Sequence, residues 1–325
     1  MNSRVLAVLA ALCTVVGQAA DSFSIAVIPK GTTHEFWKSI HAGAVKAQRE
    51  LDAQGTKVRL FWKGPDREDD RDKQIQVVEN FTARKVSGIV LAPLDSQALV
   101  SPVMSAKQAG IPVLVMDSDL KSDAQVSFVA TDNYLGGQLG GEHLAKLIGG
   151  KGNVMLLRYQ VGSASTEARE AGFLDAIKKH PGIRIVSANQ YAGATHELAY
   201  QACQNLLNRF GSQLDGVFCP NETVTVMMGK ALRDRGLAGG KVKVVGFDSG
   251  SQSVQDLKSG DVQALVVQNP VKMGYLSVIS LVRHLQGKPV EKRIDTGVGV
   301  ATRDNMEEPA VKELLNPPIK QYLNE

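Results

Sequence analysis

The chain has 325 residues, long enough for two domains of ordinary size. At 43% hydrophobic and 22% charged residues its composition is that of a globular protein and excludes a disordered or fibrous one. Net charge is only +4 and the basic residues are dispersed without runs, so nucleic acid is not an expected partner.

In chain order, the first segment is a leader. Arg4 precedes an apolar stretch over residues 5–16, broken only by Thr14, and Gly17-Gln18-Ala19 follows with small residues. This pattern predicts a signal peptide over 1–20, cleaved after Ala19 or Ala20, and hence an exported, periplasmic protein. The stretch is shorter than the ~20 residues of a spanning helix. Leu12, just before Cys13, is too large for a typical lipid-attachment signal.

Strand-like runs then alternate with amphipathic helices. Residues 23–28 read as a strand. Residues 36–51 read as a helix, with Phe36, Ile40, Ala44, Ala47 and Leu51 along one face. A strand over 58–62 and a helix over 70–84 follow, the latter turning Ile75, Val78 and Phe81 inward. Next come a strand over 88–92, a helix over 97–109 stopped by Gly110, and a strand over 112–116. The rhythm continues with helices over 135–148, 166–179, 197–210, 223–235 and 271–285, and strands over 216–219, 242–247 and 262–267. Strands alternating with helices predict an α/β fold with parallel sheets. About ten strands are too many for one tidy sheet, so we expect two Rossmann-like lobes of five or six strands, with a seam near Thr131-Asp132-Asn133.

Cys203 falls early in a helix and Cys219 ends the next strand, so both lie toward one sheet edge. A disulfide and a pair of buried thiols are both compatible with that placement. Without clustered histidines, neither cysteine points to a metal.

No catalytic motif appears. The string Gly136-Gly137-Gln138-Leu139-Gly140-Gly141 lies inside a helix and lacks dinucleotide-loop spacing; close helix packing explains it better. No nucleophile elbow and no His-Glu-x-x-His stands out, so an enzyme is not expected and no cofactor is implied. The strand ends are more informative. Asp95, Asp117, Asn221, Asp248 and Gln268 each follow an apolar run, and ligands of parallel sheets bind outside the carboxyl ends of the strands. Any one of them could instead cap a helix, a role that suits Asp95 and Asp248 well. In His34-Glu35-Phe36-Trp37 two adjacent aromatics start a helix; one can pack inward while the other offers a flat face to a sugar ring, and a core role for both is equally compatible with this segment. Arg169, one turn into its helix, could donate to hydroxyl and ring oxygens or pair with Glu167 or Glu170.

At these residues the chain resembles the periplasmic sugar-binding proteins of ABC importers, of the ribose-binding type, from about Phe23 to Gly287. The resemblance is carried by Glu35-Phe36-Trp37, Ala92-Pro93-Leu94-Asp95-Ser96 and Ile111-Pro112-Val113 running to Asp117. Thr131 to Gly137, Ala168-Arg169-Glu170-Ala171-Gly172-Phe173, Pro220-Asn221-Glu222, Val245-Gly246-Phe247-Asp248 and Gln268-Asn269-Pro270 complete it. Lactose-repressor-type regulators share this core but begin with a DNA-binding segment, where this chain has a leader. The resemblance implies a type I periplasmic binding protein architecture, with an N-terminal lobe of 21–130 plus 269–293 and a C-terminal lobe of 131–268 plus 294–325. It implies ligand contacts at His34, Phe36, Trp37, Asp117, Arg169, Asn221, Asp248 and Gln268, with Asp95 near the cleft.

Two departures stand out. Ser118 replaces an arginine of the ribose binder, and Ala194 falls where its second-lobe aromatic stacks. Tyr191 could substitute for that aromatic, and Trp62-Lys63 could add a wall and a cation. The expectation is a monomer that hands a sugar or polyol to an ABC permease. A sensory binding protein serving a chemoreceptor or kinase is the alternative, and an exported carbohydrate-acting enzyme is a more distant one. The tail from 295 to 325 carries no assigned role.

Overall fold

The computed structural model describes residues 21–323; the leader assigned to residues 1–20 lies outside the described residues. From the N-terminal side the elements are β1 (Ser22–Ile28), α1 (Glu35–Ala53), β2 (Lys57–Trp62), α2 (Arg71–Ala83), β3 (Gly88–Leu91), α3 (Val100–Gln108), β4 (Val113–Met116) and β5 (Phe128–Ala130). Then come α4 (Asn133–Leu147), β6 (Lys151–Arg158), α5 (Ala164–Ile177), β7 (Gly182–Tyr191), α6 (His196–Phe210), β8 (Gly216–Phe218), α7 (Glu222–Asp234), β9 (Lys243–Phe247), α8 (Ser251–Ser259) and β10 (Ala264–Gln268). The chain returns through α9 (Pro270–Leu285) and β11 (Arg293–Asp295), then runs through β12 (Val298–Thr302), α10 (Pro309–Leu315) and α11 (Ile319–Tyr322).

These strands form two six-stranded sheets, ordered β11-β5-β4-β3-β1-β2 and β12-β10-β9-β8-β6-β7. The orders match strand for strand. All pairings are parallel except β10 with β12.

The continuous apolar runs follow from burial on both faces. Along β1, Ile25 and Val27 enter one apolar cluster while Ala26 and Ile28 enter another on the opposite face. In β6, Met155 and Leu157 face one cluster, and Val154 and Leu156 the other. The glycine string in α4 is a packing device, since a Cβ on Gly137 would collide with the backbone oxygen of Arg169. A bare backbone there lets α5 approach closely and fixes the height of Arg169 along the cleft.

Two expectations are corrected, and one open alternative is decided. The crossing after α9 falls at Thr296-Gly297 rather than at 293, because β11 continues its parallel pairing through Ile294↔Val129 and Asp295↔Ala130. The tail does not stay with the second sheet. Leu315 enters the second core, but Arg49 on α1 donates to the carbonyls of Gln321 and Tyr322 at 3.1 and 3.0 Å. Cys203 and Cys219 are both buried, unpaired thiols. Burial pushes Cys203 up to about 12 and Cys219 well above its ordinary value, so both are inert.

Candidate functional site

The carboxyl ends of the two sheets face each other across a cleft that is shut. Lys30, just past β1, donates to Ser165 Oγ at 3.1 Å in the opposite lobe, and Ser118 Oγ accepts from the Ser165 amide at 3.1 Å. Tyr159, past β6, donates its hydroxyl to Glu68 Oε2 at 2.9 Å. On the rim, Ser251 Oγ donates to Glu35 Oε1 at 2.7 Å. Between these bridges lies a small cavity with about 30 Å³ of free space.

Two aspartates anchor it. Asp117 follows β4 and Asp248 follows β9, equivalent places in the two sheets, and both have left-handed backbones, with φ of 62° and 73°. Asp tolerates that region better than most residues, and such strain gathers at ligand sites. Lys30 Nζ lies 3.5 Å from Asp117 Oδ2. Arg169 Nη1 lies 3.8 Å from Asp248 Oδ2, and Gln268 Nε2 donates to Asp248 Oδ1 at 2.6 Å.

Arg169 is held from three sides. It donates to Asn133 Oδ1 at 2.8 Å and to the Pro220 carbonyl at 2.9 Å, and its guanidinium lies 3.8 Å over the Phe247 ring. Such fixing removes the entropy that a free arginine would lose on binding.

The charges feel their burial. Desolvation raises Asp117 above the usual carboxylate range, against the pull of Lys30 and Arg169. Desolvation also pushes Glu222 up to about 7, with His34 opposing it. For His34 burial works downward, but Glu222, Glu68, Asp248 and Glu35 together outweigh it and its pKa is raised. Two buried acceptors, Glu222 Oε2 and Gln268 Oε1, have no hydrogen-bond partner.

The structure brings His34, Phe36, Trp37, Asp117, Arg169, Asn221, Asp248 and Gln268 to this one cavity. For His34 and Asn221 capping and cavity lining coexist. Asn221 Oδ1 accepts from the Val224 amide at 3.2 Å, which leaves its Nδ2 hydrogens for another partner. Asp248 does not cap α8, whose cap is Gly250, so the capping role suggested for it is excluded. Trp37 is the aromatic that turns inward, donating Nε1–H to Glu68 at 2.8 Å, with the Phe36 ring edge-on at 5.0 Å.

Asp95 and Tyr191 stand outside the cluster. Asp95 Oδ1 accepts from the Gln97 and Ala98 amides at 2.9 and 2.8 Å, and its Oδ2 faces Arg71 at 3.3 Å. Tyr191 ends β7, an edge strand, where its ring is 44% exposed in an outer groove. Trp62 is also elsewhere, stacked on His41 at 4.3 Å, and Lys63 lines a separate surface hollow.

Sequence reasoning missed Lys30, Glu68, Tyr159 and Glu222. Lys30 had a readable signal, a lysine directly after an apolar run and a proline. It supplies a first-lobe cation beside Asp117, in a chain where Ser118 stands in place of the ribose binder's arginine. Glu68 comes from an irregular loop and has no sequence signal of its own.

Two α/β lobes joined by three crossings, closing a charged cavity between their strand ends, define a two-lobed solute-binding protein. The chain belongs to the periplasmic binding protein family, whose domain model matches residues 25–289. It is 31% identical over 257 residues to the D-allose-binding periplasmic protein of Escherichia coli, covering 77% of this chain and 80% of that one. A ribose import binding protein of Haemophilus influenzae is 29% identical, covering 87% and 91%. Among solved structures, a carbohydrate-transporter solute-binding protein of Agrobacterium radiobacter in complex with D-arabinose superposes with a TM-score of 0.84. It is 35% identical and covers 91% of this chain and 99% of its own.

Proposed function

We propose that the protein captures one neutral monosaccharide or polyol in the periplasm, closes its lobes over it, and presents the closed form to an ABC permease. The observation that carries this reading is the convergence of Asp117, from one lobe, with Arg169, Asn221, Asp248 and Gln268, from or at the edge of the other, on one closed cavity. Carboxylates accept from hydroxyls, while Arg169 and the Asn221 amide donate to ring and hydroxyl oxygens. Each such bond with a charged partner contributes about 1.5–3 kcal/mol net.

The charge balance favours a ligand without negative charge. The carboxyl groups of Glu68, Asp117, Glu222 and Asp248 line the cavity against the two cations Lys30 and Arg169 and the imidazole of His34. An anionic sugar would add to that excess in a desolvated space. The named ligands of the relatives, ribose, D-allose and D-arabinose, are neutral sugars.

A ligand held from both lobes favours the closed form, because only there are all contacts made at once. A melting-temperature screen against D-ribose, D-allose, D-arabinose, D-fucose and xylitol tests the reading, since a ligand that binds only the folded state raises the melting temperature. We expect one of them to raise it by several degrees and to shrink the X-ray scattering radius. No response to any neutral sugar or polyol overturns the reading.

A further inference from the structure

We propose that Glu222 is a ligand-binding residue that helps set which sugar the cleft accepts, its Oε2 taking the hydrogen of one ligand hydroxyl while His34 faces it from the other lobe. The proposal rests on the sugar-binding reading above and deepens it. Glu222 is the first residue of α7, next to Asn221, and is 9% exposed. Its Oε2 has no hydrogen-bond partner. The facing base, His34 Nδ1, lies 3.7 Å away, beyond hydrogen-bond length, and that nitrogen already accepts from the Phe36 amide at 3.3 Å. No protein group therefore supplies Oε2 with a hydrogen, and a buried acceptor in that state calls for an outside donor.

The carboxylate is also held in place. A Cβ on Gly250 would strike Glu222 Oε1, so the bare glycine backbone walls one side of the group. Glu222 lines both the central cavity and the rim pocket beside α8, at the end of the cavity where the lobes meet through Glu35 and Ser251.

The charged groups facing it are His34 and Glu35 from the start of α1, Glu68 from the loop after β2, Asp248 from the loop after β9, and Lys258 from α8 across the rim pocket. Burial first, then Asp248, Glu35 and Glu68, hold the carboxyl up at about 7 against His34. A hydroxyl donor favours the ionised form, so ligand binding expels a proton here. Affinity therefore rises as pH climbs through about 7 and falls below it.

The test is titration calorimetry on the mature chain, wild type and E222Q. The probe is the tightest binder among D-ribose, D-allose, D-arabinose and D-fucose, together with its monodeoxy derivatives. E222Q is expected to weaken the parent sugar about tenfold to a hundredfold. One deoxy derivative should lose a similar factor on the wild type and nothing further on E222Q. The wild-type affinity should drop between pH 8 and pH 6, and that drop should shrink in E222Q. Glu222→Asp, which keeps the charge but withdraws it by one methylene, should also weaken binding and serves if E222Q fails to fold. Parent and deoxy sugars bound by both variants with wild-type affinity, or a pH profile unchanged in E222Q, overturn the assignment and leave the sugar-binding reading intact. A wild type that binds none of the sugars overturns both.

Discussion

β3 of the first sheet and β8 of the second hold the same place in their strand orders, and each is followed within a few residues by a short polar side chain, Asp95 and Asn221. Asp95 is consumed by its own lobe: two backbone amides occupy Oδ1, and Arg71 faces Oδ2. Gln74 closes the turn before it, donating to the Pro29 and Ala92 carbonyls at 2.9 Å each and accepting from the Leu94 amide at 2.8 Å. Asn221 caps α7 with its oxygen alone and keeps its amide hydrogens on the cavity side. The position at a strand end is shared. What separates a turn-closing group from a ligand group is which polar atoms the local turn leaves over.

The neighbouring pair of strand ends behaves alike in both lobes, and that agreement can be broken. Asp117 and Asp248 each meet one cation, Lys30 and Arg169 respectively. The largest effect should come from Arg169→Met. It strips Asp248 of its cation inside a desolvated site while Asp117 keeps Lys30. Removing one partner of a buried pair costs about 3–5 kcal/mol. A lowered denaturant midpoint and loss of any sugar response are the expected results. A variant as stable as the wild type would show that Gln268 alone sustains the Asp248 carboxylate, and the parallel between the two aspartates would fail.

Asp248→Ala comes next and acts on binding. It should weaken the sugar by about 1.5–3 kcal/mol in calorimetry, the worth of one charged hydrogen bond. Unchanged affinity would remove Asp248 from the site and leave the first lobe's aspartate as the main carboxylate contact.

Gly137→Ala probes how the second lobe sets the height of its arginine. The new methyl has to push α5 away at the Arg169 carbonyl, and overpacking of this kind costs about 1–3 kcal/mol. Thermal denaturation should show the loss, and sugar affinity should fall with it because Arg169 moves. Lost stability with full affinity would mean that Asn133 and the Pro220 carbonyl, not helix packing, position the guanidinium.

These variants also mark what the sequence could convey. The alternation of runs and helices was legible because both faces of each sheet are buried, which leaves unbroken apolar strands such as Ile25 to Ile28. The strand-end residues were legible for the same reason, since a polar group after such a run is conspicuous. The edge strands β11 and β12 were not, being three and five residues long and only partly buried. Glu68 and Tyr159 were not legible either. Their contact joins residues 91 apart across the cleft, and no local pattern encodes it. Tyr191 was misplaced because proximity in sequence to Ala194 says nothing about which way an edge strand turns its last ring.

The smallest expected effect returns to the pair that opened the comparison. Asp95→Ala removes a side chain whose oxygens are already occupied by the Gln97 and Ala98 amides and by Arg71. Losing the hydrogen bonds of such a turn costs about 1 kcal/mol net, so the melting temperature should fall slightly while sugar affinity holds. Asp95→Asn, which can still accept from those amides, should restore most of the lost stability. The contact of Ser96 N with the Gly162 carbonyl at 2.9 Å crosses the cleft and uses backbone atoms alone, so closure itself should survive both changes. A tenfold loss of affinity in Asp95→Ala, rescued by neither the asparagine nor higher stability, would place Asp95 on the ligand. The ends of β3 and β8 would then serve the cleft equally, and the distinction drawn from their leftover polar atoms would be wrong.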